Sequence, residues 1–162
     1  MDFKNRKSPR AAFHDYSGGE YFVTICTHEM KHYFGLIKDQ EIFYSEVGNI
    51  AVSKLNELES HYPYLNLVKY IVMPNHIHAI MKLDSKEADE EETGIRTKLS
   101  IILGGYKQSV TMEARRRGLN FAWQSRYHDR IIRHEEEKKR ISEYITNNVL
   151  RWDKDCFYSP KE

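Results

Sequence analysis

The stretch LNLVKYIVMPNHIHAIMKL, residues 65–83, decides the fold of this chain. Residues 65–73 and 76–83 are both rich in β-branched and other apolar side chains, a composition typical of strands. Pro74 and Asn75 separate them, and pairing stops there because proline cannot donate a hydrogen bond to a strand ladder. We therefore predict two strands that flank a tight connection.

The pattern of apolar residues predicts further elements on both sides of this stretch. The predicted strands are 21–27, 33–37, 41–44 and about 127–132. The predicted helices run from the capping residue Ser45 to the break at Pro63, from Arg96 to Arg117, and from about Glu135 to Leu150. Together these elements predict an α+β fold in which helices flank a central antiparallel β-sheet.

The size and composition suit a single globular domain over residues 1–162. Hydrophobic residues make up 40% of the chain and charged residues 30%, which excludes collagen-like, fully disordered and coiled-coil proteins. No apolar run is long enough to cross a membrane, and the polar start lacks the apolar centre of a signal peptide. We therefore expect a cytoplasmic protein with no membrane partner.

The formal net charge of +1 conceals an uneven distribution of charge. Residues 84–94 contain six acids and one lysine, a net charge of −5, which leaves +6 on the rest of the chain. The basic clusters favour an anionic partner such as nucleic acid, and solvated helix and loop faces are the alternative interpretation. We predict that 84–94 is a mobile acidic surface loop and that 1–15 is a basic N-terminal segment.

His76 and His78 are the candidate metal ligands. On a strand, residues i and i+2 point to the same face, so the two imidazoles lie roughly 6.5 to 7 Å apart along the chain and can reach one ion. Ile77 points to the opposite face and anchors the strand in the core. Cys26 and Cys156 form no C-x-x-C pair, so any metal must use other ligands. Taken alone, His-x-His is also compatible with hydrogen-bonded or exposed histidines.

Several separate motifs follow one another in an order that resembles a known family. The motifs are MPNHIHAI at 73–80, Tyr16 with YFVTICT at 21–27, WQSRYHDRIIR at 123–133, and YITNN at 144–148 with Trp152. They resemble the REP-associated tyrosine transposases, which are domesticated relatives of insertion-sequence transposases within the HUH single-strand transposase superfamily. The resemblance covers about residues 16–155 and implies the ferredoxin-like or RRM-like fold of those enzymes.

The resemblance implies an enzyme, a metal-dependent single-stranded DNA transposase or nickase. Tyr144 would attack a phosphodiester, form a covalent 5′-phosphotyrosine and leave a free 3′-hydroxyl that can reverse the step. His76 and His78 would be catalytic and, together with Asn148, would bind the divalent metal cofactor, Mg²⁺ or Mn²⁺. Tyr144 and Asn148 are i and i+4 on the last predicted helix, so they share one face.

Other residues compete for these roles. Val149 stands where a proline commonly follows the asparagine in the family, which leaves the neighbouring asparagine open as a ligand. Tyr144 also has the spacing of an ordinary aromatic residue on an amphipathic helix. The alternative ligands and nucleophiles are Asn147, His128, Tyr106 and Tyr127.

The resemblance further implies a DNA partner, a palindromic repeat hairpin with a short flanking single strand. Such DNA is bound by basic grooves together with aromatic stacking. The candidate DNA contacts are Arg6, Lys7, Arg10, Lys107, Arg115, Arg116, Trp123, Arg126, Tyr127, Arg130 and Arg133. A protein that acts on such DNA would be associated with the nucleoid. The REP-associated branch favours a monomer, and a homodimer is the alternative.

Two other functions are compatible with the same motifs. One is a catalytically inactive hairpin DNA-binding protein that is derived from a transposase. The other is a metal hydrolase, in which His76 and His78 hold an ion and water is the nucleophile. The three hypotheses differ in whether Tyr144 forms a covalent adduct with DNA.

Overall fold

The structure is a computed structural model that describes residues 18–84 and 97–160. The described strands are β1 (Gly19–Thr27), β2 (Gly35–Lys38), β3 (Glu41–Tyr44), β4 (Leu65–Val72), β5 (His76–Leu83) and β6 (Trp123–Ile132). The described α-helices are α1 (Glu46–Asn56), α2 (Leu58–His61), α3 (Lys98–Arg116) and α4 (Glu135–Asn147). Short 3₁₀ segments lie at His28–Met30 and Trp152–Lys154.

A four-stranded sheet with the order β4-β5-β1-β6 forms the centre of the fold. All neighbouring strands in it are antiparallel, and His78 of β5 lies opposite Thr24 of β1 and Ile71 of β4. β2 and β3 pair with each other as a separate two-stranded sheet. The predicted α+β class, with an antiparallel sheet flanked by helices, is confirmed.

One face of this sheet carries the main hydrophobic core. Ile77, Ala79 and Met81 of β5 point to this face, and each is at most 1% exposed. The apolar sides of α1 and α3 cover it, with Leu55 and Ile102 fully buried. Ile77 therefore anchors β5 in the core, as its place between the two histidines predicts.

The opposite face of the sheet is covered by α4. Alternate residues of β5 point there, so Ile80 lies on the same face as the two histidines that precede it. Ile80 packs with Ile132, Ile141 and Ile145 in a second, smaller hydrophobic cluster. The isoleucines of α4 thereby dock this helix beside the histidine pair.

The helix predicted from Ser45 to Pro63 is two helices. Ser45 does cap it, since its hydroxyl accepts a 3.0 Å hydrogen bond from the Gly48 N–H. At Glu57, between α1 and α2, the regular pattern is interrupted, because the Ser60 N–H binds the Glu57 carbonyl and tightens the turn.

Two other boundaries differ from the prediction. β6 begins at Trp123 rather than near 127, because it stays paired with β1 across a register shift. The pattern of apolar residues in the sequence does not reveal such a shift. α4 ends at Asn147 rather than at Leu150, because the Asn148 N–H binds a carbonyl only three residues back. This tighter turn carries the Asn148 side chain toward the sheet.

Some predictions fall outside the described residues. The basic segment 1–15, the helix start at Arg96 and nearly all of the acidic stretch 84–94 lie there. Within 18–84 and 97–160, no helix combines the length and the apolar character that a membrane span requires.

Two helical glycines lead to opposite predictions for stability. A Cβ at Gly48 of α1 would stand 2.0 Å from the Phe34 carbonyl oxygen, whereas one at Gly104 of α3 would face open space. We expect Gly104→Ala to raise the free energy of unfolding by about 1 kcal/mol through its higher helix propensity. Gly48→Ala should lower it by more than about 1 kcal/mol, because backbone must move. Urea denaturation measures both, and a stabilised Gly48→Ala would contradict this packing.

Candidate active site

β5 brings His76 and His78 together on the face that α4 covers. The centroids of the two rings are 4.5 Å apart, and the residues are 0% and 1% exposed. The imidazoles share one face, as their i and i+2 spacing predicts. Two buried imidazoles in such proximity form the floor of the site.

Neighbouring polar side chains engage the Nδ1 atom of each ring. His76 Nδ1 lies 2.8 Å from the Asn75 amide oxygen, while the Asn75 amide nitrogen donates to the Phe157 carbonyl at 2.9 Å. Because an amide oxygen only accepts, His76 carries its proton on Nδ1 and keeps a lone pair on Nε2. His78 Nδ1 lies 2.8 Å from the Thr24 hydroxyl, which can hold His78 in the same tautomer.

Both imidazoles are uncharged at neutral pH. Burial lowers the pKa of His78 to about 4, although the nearby Asp155 carboxylate acts in the opposite direction. Burial, and after it the neighbouring His78, also holds the pKa of His76 well below its ordinary value. A neutral imidazole is the form that binds a metal ion, so protons do not compete for these nitrogens near neutral pH.

α4 carries Tyr144 to the histidine pair. The Tyr144 hydroxyl lies 3.3 Å from His78 Nε2 and donates a 2.7 Å hydrogen bond to Asp155 Oδ2. The residue is 38% exposed, so a ligand can reach the phenol from solvent. An ordinary aromatic residue of an amphipathic helix would be buried against the sheet. Tyr144 instead lies at the border between solvent and the imidazoles.

The Tyr144 hydroxyl is protonated at neutral pH. Partial burial raises the pKa of Tyr144 above its ordinary value of about 10, and the hydrogen bond to the Asp155 carboxylate raises this pKa further. A protonated phenol is a poor nucleophile, so a tyrosine that acts as one must lose this proton. The Asp155 carboxylate is placed to accept that proton.

Polar contacts around Tyr144 hold α4 on the sheet of its own chain. The Lys69 ammonium of β4 donates to Ser142 at 3.0 Å and to Thr146 at 2.5 Å, two residues on either side of the tyrosine. One chain therefore supplies both the tyrosine and the His78 imidazole beside it.

Asn148 lies next to the same group. It is 1% exposed, its amide nitrogen donates to Asp155 Oδ2 at 2.6 Å, and it is close enough to His76 to influence the pKa of that ring. The side chain of Asn147, by contrast, donates to the Glu143 carbonyl of its own helix. The structure thus brings Asn148, and not the alternative Asn147, to the histidine pair.

Asp155 is the site residue that the sequence analysis missed. Its carboxylate accepts hydrogen bonds from both Tyr144 and Asn148. One ligand atom each of His76, His78 and Asp155 lies within 4.8 Å of the others. Asp155 follows α4 in a segment without helical or strand periodicity, so the sole signal in the sequence is an acid shortly after the YITNN motif.

The segment after α4 folds back over His76 and fixes Asp155. The Phe157 ring stacks against His76 with centroids 4.5 Å apart, and the Trp152 ring lies 6.0 Å away. The Phe157 carbonyl accepts from Asn75, and the Phe157 N–H donates to Asp155 Oδ1 at 2.8 Å. These contacts shield His76 and orient the Asp155 carboxylate toward the tyrosine.

The donor set fits a divalent metal ion. His76 Nε2 and Asn148 Oδ1 are buried without a hydrogen-bond partner among the described residues, which is costly unless something else binds them. Imidazole nitrogens and amide or carboxylate oxygens are ligands that a divalent ion accepts. His76, His78 and Asn148 therefore suit the metal that the family resemblance implies, with the Asp155 carboxylate at hand.

The competing residues lie elsewhere. Tyr106 is buried in the main core, where its hydroxyl donates to a backbone carbonyl of α1 at 3.0 Å. Tyr127 of β6 packs at the border of that core. Thr24 of β1 pairs with His78 on one side and with His128 on the other. The two histidines are therefore two strand spacings apart, about 10 Å. None of the three joins the site.

The predicted DNA contacts on β6 share a surface with the site. Arg126, Arg130 and Arg133 are all exposed. Arg130 lies opposite Phe22 of β1, which places it on the sheet face of the histidines, and it pairs with Glu137 of α4. This part of the prediction is compatible with a strand of DNA that approaches along the sheet.

The remaining predicted contacts lie elsewhere. Lys107 donates to a carbonyl of β6, and the Trp123 ring N–H donates to the Lys107 carbonyl, so both residues tie α3 to β6. Arg115 and Arg116 are exposed at the end of α3, which packs on the sheet face opposite the histidines. Arg6, Lys7 and Arg10 lie outside the described residues.

Comparison with solved structures bears on the fold. A REP-associated tyrosine transposase bound to a REP hairpin matches with a TM-score of 0.59 and 17% sequence identity, over 94% of this chain and 74% of that one. The chain has the fold of this transposase. The resemblance drawn from the motifs is confirmed at that level. A candidate transposase from Deinococcus radiodurans R1 matches with a TM-score of 0.49 and 16% identity, over 88% of this chain and 97% of the other.

Comparison of sequences adds one relative. An uncharacterized protein of Haemophilus influenzae strain Rd is 29% identical over 168 residues, which cover 95% of this chain and 93% of that protein. No protein-family model matches the sequence.

Loss of a ligand should weaken metal binding. We expect the protein to bind Mn²⁺, and His78→Ala and Asp155→Asn each to lower the affinity tenfold or more, because a donor or a negative charge is lost. Thr24→Val removes the hydroxyl that orients His78 and should lower the affinity about tenfold. Isothermal titration calorimetry measures all three.

Matched variants serve as controls for this experiment. His128→Ala removes an exposed imidazole of the same sheet face, and Asp153→Asn removes an exposed acid near Asp155. Both should bind Mn²⁺ like the unmodified protein. Unchanged binding in His78→Ala, or an equal loss in His128→Ala, would contradict the assignment of the ligands.

Proposed function

We propose that this protein is a metal-dependent transposase or nickase that cleaves and rejoins single-stranded DNA at hairpin sites. The position of Tyr144 carries the proposal, since its hydroxyl lies 3.3 Å from His78 Nε2 of the same chain and remains open to solvent. An accessible tyrosine beside buried neutral imidazoles is suited to covalent phosphoryl transfer.

Two observations support hairpin DNA as the partner. The transposase that shares this fold is bound to a REP hairpin. In this chain, Arg126 and Arg130 of β6 are exposed and can contact phosphates, and Arg130 lies on the sheet face that carries the histidines. We infer a palindromic repeat hairpin with an adjacent single strand, since a scissile phosphate must reach Tyr144 unobstructed by a second strand.

The chemistry divides between the metal and the chain. Mg²⁺ or Mn²⁺, held by His76, His78 and Asn148, would neutralise the scissile phosphate and make its phosphorus more electrophilic. Tyr144 Oη attacks this phosphorus, so that a bond from phosphorus to the tyrosine oxygen forms as the bond to the 3′-oxygen breaks. The phenolic proton passes to the Asp155 carboxylate, and the 3′-oxygen leaves with a proton from solvent.

The step conserves the energy of the broken linkage. The 5′-phosphate stays on Tyr144 as a phosphotyrosine, and one phosphodiester replaces another without net hydrolysis. A 3′-hydroxyl, from the same strand or another, can lose its proton to solvent and attack the phosphorus, so that the bond to the 3′-oxygen forms as the bond to the tyrosine oxygen breaks. Asp155 then returns the proton to the phenol, which restores the hydrogen bond seen at 2.7 Å.

Tyr144→Phe should abolish a covalent DNA adduct. The test incubates the protein with a 5′- and 3′-labelled hairpin oligonucleotide with single-stranded flanks, in the presence of Mn²⁺, and resolves the products by denaturing electrophoresis. We expect an adduct with the unmodified protein and none with Tyr144→Phe, because the attacking oxygen is gone. Tyr127→Phe, which removes the hydroxyl of an alternative nucleophile, should form the adduct.

The same gel separates the competing functions. DNA binding without an adduct in the unmodified protein would favour the inactive hairpin-binding protein. Cleavage that persists in Tyr144→Phe and is lost in His78→Ala would favour a hydrolase with water as the nucleophile. An adduct that persists in Tyr144→Phe and vanishes in Tyr127→Phe would move the nucleophile to β6.

The active site should be complete within one chain. Tyr144→Phe lacks the nucleophile and His78→Ala lacks an imidazole, so a mixture of the two restores activity only if a tyrosine serves the histidines of another chain. Because the contacts of Lys69 with Ser142 and Thr146 hold α4 on its own sheet, we expect the mixture to form no adduct. Adduct formation above the sum of the single variants would indicate a shared site in a homodimer.

A further inference from the structure

A cleft of about 630 Å³ opens beside Tyr144, and its described lining residues include none from the sheet. α4 and the segment that follows it line this cleft, and Tyr144 and Asn148 form part of its wall. The other lining residues are Arg140, Glu143, Asn147, Arg151, Lys154 and Asp155. The cleft therefore meets the proposed nucleophile but lies apart from the β6 arginines.

Three cations in this cleft have no acidic partner. Arg140, Arg151 and Lys154 are exposed, and none forms an ion pair with a described residue. Other exposed cations of the described chain either pair, as Arg116 and Arg117 do with Glu113 of the same helix, or lie outside this cleft, as the unpaired Lys38, Lys82 and Lys139 do. The cleft thus offers positive charge that the fold itself does not use.

The acids of the cleft do not cancel this charge. The Asp155 carboxylate is occupied by donors from Tyr144, Asn148 and the Phe157 N–H, so it faces the interior of the site. Glu143 is the other acid among the lining residues. Three unpaired cations against two acids, of which Asp155 is turned toward the interior, leave a net positive charge at the cleft, which favours an anionic ligand.

The positions of the three cations relative to Tyr144 indicate whether that ligand is extended or small. Arg140 lies four residues before Tyr144, one helical turn or about 6 Å along α4. Arg151 and Lys154 lie beyond the C-terminal end of the helix. Cations therefore flank the tyrosine on two sides, an arrangement that suits successive phosphates of one strand rather than a single small anion.

We propose that this cleft binds the sugar-phosphate backbone of the unpaired strand that continues past the scissile phosphate. Arg140 contacts the backbone on one side of Tyr144, and Arg151 and Lys154 contact it on the other. The orientation of the strand relative to the tyrosine rests on the proposed function, whereas the affinity of the cleft for an unpaired strand does not.

The test measures binding without chemistry. In a Tyr144→Phe background, fluorescence anisotropy follows the binding of a labelled 12-nucleotide oligothymidylate between 50 and 300 mM NaCl. We expect Arg140→Gln/Arg151→Gln/Lys154→Gln to raise Kd at least tenfold at 100 mM NaCl. The slope of log K against log salt should become shallower by about 2, since each lost phosphate contact on a single strand accounts for about 0.7.

A charge-matched control tests whether the effect depends on where the three cations lie or only on the loss of three positive charges. Lys38→Gln/Lys82→Gln/Lys139→Gln removes three exposed positive charges outside the cleft, one of them next to Arg140 on α4. It should change Kd less than threefold and leave the slope within about 0.5. Equal effects of the two triple variants, or no effect of either, would overturn the proposal.

Competition with inorganic phosphate provides a second test of the same proposal. At constant ionic strength, 5 mM phosphate should displace little oligothymidylate, because a single anion does not reach the cations on both sides of the tyrosine. Displacement of most of the oligonucleotide by phosphate would identify the cleft as a small-anion site and overturn the proposal.

Failure of this inference can be told apart from failure of the proposed function. With Tyr144 intact, the cleft variant should still form the covalent adduct at saturating DNA, with a half-saturating concentration at least tenfold higher. If the cleft variant forms the adduct with an unchanged half-saturating DNA concentration and binds the oligonucleotide with unchanged affinity, the DNA-binding role of the cleft is wrong and the proposed enzymatic function stands. If the cleft variant binds the oligonucleotide more weakly and neither protein forms an adduct, the DNA-binding role of the cleft stands and the proposed enzymatic function is wrong.

Discussion

The alternation of side chains along β5 is the constraint on which the rest of the molecule depends. One strand both anchors the sheet and presents the two histidines of the candidate site, because its successive residues point to opposite faces. Ile77 holds the strand in the main core while His76 and His78 face α4. A slip of one residue in the pairing of β5 would bury the two histidines among α1 and α3 and turn the core residues toward α4. The geometry of the candidate site and the stability of the sheet are thus fixed by the same register.

The second layer of the site comes from elements that close over this strand. α4 delivers Tyr144 from one side, and the segment after it delivers Asp155 from the other. The two meet in a single carboxylate that accepts hydrogen bonds from the tyrosine and from Asn148. The phenol and the amide are therefore positioned by one another and not by the sheet alone. Buried polar groups that share partners in this way specify one arrangement, because each loses its hydrogen bond if another moves.

Local patterns explain which parts of this site could be predicted from the sequence. Side-chain direction on a strand is fixed over two residues, and on a helix over four, so His76 and His78, and likewise Tyr144 and Asn148, could be grouped from spacing alone. The roles of these groups came from the family resemblance. Asp155 obeys no such period, because its place depends on contacts between residues far apart in the chain. The Asn75 amide, for example, binds a carbonyl 82 residues away.

In the fold, too, features set by local sequence patterns were predictable and features set by longer-range contacts were not. The strands that flank Pro74 were predictable, since composition and a turn define them, whereas the ends of α1 and α4 depend on single backbone hydrogen bonds that tighten a turn. Residues 33–37 and 41–44 were predictable as strands, but the separation of the pair β2 and β3 from the main sheet was not. The start of β6 at Trp123 depends on a register shift in its pairing with β1.

The order of the sheet leaves β4 and β6 as its outer strands within the described chain. An outer strand offers unsatisfied backbone groups to any other strand, and proteins protect such edges with charge. Arg126 and Arg130 stand exposed along β6, so a second molecule that extended the sheet there would have to desolvate their guanidinium groups. These arginines therefore guard the edge of β6 against self-aggregation, and they discourage oligomers built by edge-to-edge strand pairing.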